Sequence, residues 1–108
     1  MALLTNERIN NILVAIQEYY IKGDVAKWYK YVKQLYKETI IYLKVDERKP
    51  FNILMREIID LAPVRDKTGL KYRTILKYKL EDFEVHCRII LHDKGVMTSK
   101  GQDLSRLL

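Results

Sequence analysis

Ile9, Leu13, Ile16 and Tyr20 recur at steps of four, three and four, and the pattern stops at Gly23. Side chains at that spacing share one face of an α-helix, so burying them together requires a helix there. Thr5 carries a side-chain oxygen able to accept from the free N–H groups of a first turn, and Gly23 is suited to a left-handed stop. The spacing predicts a first helix over about residues 6–22. Asp24 then caps a second helix whose apolar face is Val25, Trp28, Val32, Leu35, Tyr36 and Leu43, running to about Lys44. Lys27, Lys30, Lys33 and Lys37 fall mostly on its other side and read as solvated surface.

The segment "VDERKP" breaks the pattern, and Pro50 suits the first position of a third helix with Phe51, Leu54, Ile58 and Leu61 inward. Pro63 interrupts it. After Gly69 a fourth helix is predicted from about Lys71 to His86, on which Leu76, Leu80, Phe83 and Cys87 repeat at steps of four, three and four. The next stretch, "RIILHDKGVMTSKG", has two readings: the helix continues to a cap at Gly95, or Ile89–Leu91 form a strand. Three consecutive apolar residues spread over more than half of a helix circumference, which a one-sided helix buries poorly. The strand is therefore expected, with Asp93-Lys94-Gly95 as a hairpin loop and residues 96–98 returning beside it. Thr98 or Ser99 then caps a last short helix bearing Leu104, Leu107 and Leu108.

At 108 residues and 48% apolar content, one core is affordable and two are not, so a single domain over 1–108 is expected. No apolar run approaches the roughly 20 residues of a membrane span, and "MALLTNERIN" has neither a basic n-region nor a cleavage site. A cytoplasmic protein away from membranes is expected. Cys87 is the one cysteine, and with only His86 and His92 near it there is no metal-ligand set and no hydrolase constellation. The chain therefore reads as a non-enzyme without metal or cofactor. Net charge is +6, and six basic residues against one acid, Asp66, fall between Arg65 and Lys79. A polyanionic partner follows from that concentration.

The expected order of the second half is helix, turn at Gly69, basic helix, β-hairpin and terminal helix. That is a winged helix-turn-helix order, here preceded by two N-terminal helices. The stretch "DKTGLKYRTILKYKLEDFEVHCRIILHDKGVMTSKGQDLSRLL", about residues 66–108, resembles the winged-helix transcription regulators of archaea and bacteria, the MarR-like group among them. Thr68-Gly69-Leu70-Lys71 stands where that family leads into its recognition helix, Leu80 and Phe83 where it closes, and Met97-Thr98-Ser99-Lys100-Gly101 after the wing. The resemblance implies a mostly α fold with a small β-hairpin wing at 88–98, residues 50–108 forming the winged unit. Residues 1–44 would form a dimerising pair of helices.

On that fold, Tyr72, Arg73 and Lys77 are candidates to reach base edges, where Arg can bond guanine O6 and N7 together. Lys67, Lys71 and Lys79 suit phosphate contacts, and His92 and Lys94 sit at the wing. The expected function is a small homodimeric transcriptional regulator on double-stranded DNA, because one recognition helix covers too few base pairs alone. The alternative is a non-catalytic adaptor whose basic face meets an acidic protein.

Overall fold

The computed structural model describes residues 4–64, 69–95 and 97–98. Helix α1 spans Asn6–Lys22, opened by Thr5, whose hydroxyl accepts from the Arg8 N–H at 3.0 Å. It is closed by Gly23 at φ 71°, a left-handed conformation that costs glycine nothing. One residue later the Asp24 carboxylate accepts from the Lys27 N–H at 3.1 Å and starts α2, Val25–Ile40. A stop and a start so close together turn the chain back on itself, and Arg8 at the head of α1 meets Glu38 near the tail of α2. Helix α2 ends four residues before Lys44. Leu43 still reaches the core from the following turn, so the apolar spacing there marked burial rather than helix. A 3-10 turn, Val45–Arg48, leads into α3, Lys49–Ile59, with Pro50 in its first turn.

Helix α4 spans Leu70–His86. It packs on α3 and α1, while α2 packs on α1 and α3, so the four helices close a ring in which α2 and α4 stand diagonally opposite. Their inward faces form one core. Ile9, Leu13, Ile16 and Tyr20 are buried from α1, Trp28, Val32 and Leu35 from α2, Phe51, Leu54 and Ile58 from α3, and Leu76, Leu80 and Phe83 from α4. Phe51 meets Phe83 edge to face with centroids 5.1 Å apart. The mostly helical expectation holds.

No wing is formed among the described residues. After His86 the helix widens by one π turn, Cys87–Leu91, and continues through His92 and Asp93. Gly95 at φ 76° then donates its N–H to the His92 carbonyl. The reason is the place waiting for Leu91. It extends the stripe of Leu76, Leu80, Phe83 and Cys87 by another step of four and is fully buried. Burying such a side chain stabilises by about 1.5–3 kcal/mol, which a strand standing out in solvent would forgo. Ile90 is half-buried, and Ile89 is left 59% exposed as the cost. Met97–Thr98 is extended, but its backbone pairs in parallel with Leu4–Thr5, Leu4 opposite Met97, instead of with residues 89–91.

Two further expectations change. Residues 1–44 are expected from the sequence to dimerise, but the apolar stripe of α1 is covered by the protein's own bundle and is not available to a partner. Residues 60–69 separate α3 from α4, a connection longer than the three or four residues of a helix-turn-helix. Lys67, Ser99–Gly101 and the short helix expected at Leu104–Leu108 lie outside the described residues.

Candidate nucleic-acid interface

The basic residues of α4 do not share a face. At about 100° per residue, Arg73 lies about 60° to one side of the buried Leu76 and Lys77 further round the same way. Tyr72 and Lys79 lie on the other side, and Lys71 is on the solvent face. Arg73 is half-buried, and its Nε is enclosed without a hydrogen-bond partner. Tyr72 packs against the core beside Tyr20, and the Lys71 ammonium sits 5.6 Å from the Tyr72 ring centre. Lys79 is held by Glu57 at 3.0 Å. Only Lys71 and Lys77 stand exposed, and Glu81 and Asp82 follow them on the same outward side.

The two wing residues are at the far end of the same helix. His92 is exposed in the last helical turn. Lys94 reaches across to Glu47, 2.8 Å away, where Glu47 also accepts the Lys44 N–H at 2.9 Å. The Lys94 ammonium and then the Lys44 amide hold the Glu47 carboxyl below its ordinary range. Lys94 thus ties the end of the α4 helix to the turn before α3 rather than reaching out from a loop tip.

A more uniform basic surface lies on α2. Lys30, Lys33 and Lys37 follow Ala26 at steps of four, three and four, and all three lysines are exposed. They occupy about 60° of the helix opposite the stripe of Trp28, Val32, Leu35 and Thr39. Nothing in that stripe competes with them: Glu38 is the one acid within α2, and it faces α1. Its carboxylate accepts from Arg8 Nε at 2.9 Å and from Gln34 at 2.9 Å, and the Arg8 guanidinium holds it below the usual range. Arg56 extends the surface onto α3 across a groove that Lys33, Tyr36 and Asn52 also line. This stripe is legible in the sequence as a lysine repeat in phase with the apolar one, but its isolation from acids depends on where Glu38 points.

Beside the stripe, Tyr19 of α1 and Tyr31 of α2 stack with centroids 5.6 Å apart and planes 7° from parallel. The Lys22 and Lys27 ammonium groups lie 5.3 and 5.4 Å from the Tyr19 ring centre, and Lys30 lies 5.7 Å from that of Tyr31. Ring faces attract cations by their quadrupole, so the seam gathers three lysines near the start of α2. It also occupies the rings with each other rather than leaving them open to bases.

Among the described residues no group of histidine, cysteine and carboxylate side chains is arranged to hold a metal ion. No helix among them is long and apolar enough to cross a membrane. Compared with known protein families, curated proteins and solved structures, the chain matches none.

Proposed function

We propose that the protein is a non-catalytic DNA-binding module that grips duplex backbone through the outward face of α2. The observation that carries this reading is the unbroken stripe of Lys30, Lys33 and Lys37, with Lys27 and Arg56 at its flanks. From Lys30 to Lys37 the helix rises about 10 Å, about three base-pair steps along the duplex axis. Lysine is a point charge without the fork that reads guanine, and the stripe itself is lysine alone, with Arg56 only at its flank. Binding of this kind supplies affinity without sequence preference. Sequence-specific regulation through α4 has less support, because its candidate readers are divided between the two flanks of a buried stripe.

Titration of random duplex at several salt concentrations tests the reading. The wild type is expected to weaken steeply as salt rises. The triple variant Lys30→Ala, Lys33→Ala, Lys37→Ala is expected to lower the salt slope by about 2.7 units, at about 0.9 for each phosphate that the variant no longer neutralises. Lys71→Ala with Lys77→Ala is expected to leave the slope nearly unchanged. If the α4 pair lowers the slope and the α2 triple does not, α4 is the DNA face after all. If the wild type binds no duplex at low salt, the stripe serves an acidic protein instead.

A further inference from the structure

We propose that the outward face of α4 is a self-association surface, on which a second copy of this chain packs antiparallel about a two-fold axis near Tyr78. This inference is independent of the DNA-binding reading. Helix α4 is apolar on two sides: its inward stripe fills the core, and Leu70, Tyr78, Val85 and Ile89 are exposed on the outside. Tyr78, Val85 and Ile89 step by seven and four and so line one outer strip. Among the described residues they stand exposed.

The charges around that strip identify the occupant. Lys71 and Lys77 lie on one side of Tyr78 and Glu81 and Asp82 on the other, all exposed, with the exposed Arg88 beyond them beside Ile89. Cations near a helix start and anions toward its end oppose the helix dipole, so this order does not stabilise α4 itself. Nor is it used within the chain, since Lys77, Glu81 and Asp82 form no ion pair with a described residue. Lys77 and Glu81 are one turn apart, but lysine before glutamate is the weaker order for an intrahelical pair. Set against a copy of itself running the other way, the lysine side meets the carboxylate side. Lys77 then faces the partner's Glu81 and Lys71 faces the partner's Asp82, each pairing occurring twice. Tyr78 meets the partner's Tyr78 at the axis. A parallel pair would set like charges together. A surface that complements itself under a two-fold rotation is what an isologous dimer needs.

Sedimentation equilibrium on the full chain tests this with two charge reversals. The wild type is expected to dimerise reversibly. Lys77→Glu sets acid against acid across the axis, and Glu81→Lys sets base against base, so each variant alone is expected to associate roughly tenfold more weakly or worse. An equimolar mixture of the two is expected to recover the dimer, because each then offers the charge the other lacks. An intrachain pair cannot produce that recovery. Tyr78→Ser, uncharged and at the axis, is expected to weaken association as well and serves if a reversal variant fails to fold. A wild type that stays monomeric at every concentration overturns the proposal. So do single variants that dimerise like the wild type, or a mixture that associates no better than its components.

Discussion

Cys87 illustrates how burial controls chemistry at one side chain. Its thiol is enclosed in the core, and that desolvation pushes it up to about 12 despite a hydrogen-bonding contact with Thr39. The reactive thiolate is therefore scarce at neutral pH. A disulfide reagent at pH 8 is expected to leave the native protein unmodified and to react fully once guanidinium unfolds it; rapid native labelling would contradict the burial. Glu38 behaves in the opposite way. Arg8 holds its carboxyl low, so the stabilisation is complete above the ordinary carboxylate range and is lost as pH falls through the lowered value. Both partners are partly exposed, which limits the pair to under about 1 kcal/mol. Urea midpoints of wild type and Glu38→Gln are expected to differ slightly at pH 7 and to converge toward pH 3.

The continuation of α4 through Leu91 can be tested by a contrast between two neighbours. In a strand, Ile89 and Leu91 point to the same side and should respond alike to truncation. In the helix they differ: Leu91 is buried and Ile89 is mostly exposed. Leu91→Ala is expected to cost about 2–5 kcal/mol, through the apolar burial it removes and the cavity it leaves. Ile89→Ala, measured on dilute protein, should stay within about 0.5 kcal/mol. Equal effects would restore the hairpin. Gly95→Ala is expected to destabilise by about 1 kcal/mol, since it forces a side chain onto a backbone at φ 76°.

The diagonal placement of α2 and α4 bears on what the proposed dimer would do. A dimer joined by α4 carries its two lysine stripes on opposite outer faces, so the expected result is two duplexes held by one dimer. This differs from a regulator that aligns two recognition helices on adjacent half-sites of one duplex. Light scattering of long duplex with added protein is expected to rise with the wild type. Lys77→Glu should bind duplex with nearly the same salt slope yet scatter little. Scattering that persists in a variant shown to be monomeric would separate bridging from dimerisation.

The bounds of α1, the starts of α2 and α3 and most inward residues of the four helices were readable from spacing and caps, because those depend on neighbours within a turn or two. Leu61 instead lies past the end of α3 and is half-buried, and Ile12, Thr39 and Met55 are buried outside the expected stripes. Thr5, Gly23, Asp24 and Pro50 act on the backbone beside them, and their roles carried over unchanged. Ile89–Leu91 could not be resolved that way, since a short apolar run suits a strand or a buried turn of helix equally. The choice fell to the core position that Leu91 fills once the helix continues, where it is fully buried. Likewise the pairing of Met97–Thr98 with Leu4–Thr5 joins the two ends of the described chain, and no local pattern encodes it. The basic residues followed the same division. Their number and positions were plain from the sequence, but whether a lysine stands in an unopposed stripe, as Lys33 does, or is held by a carboxylate, as Lys79 and Lys94 are, depends on which helix packs beside it. Periodicity acts within one helix, whereas burial and charge pairing are settled between helices.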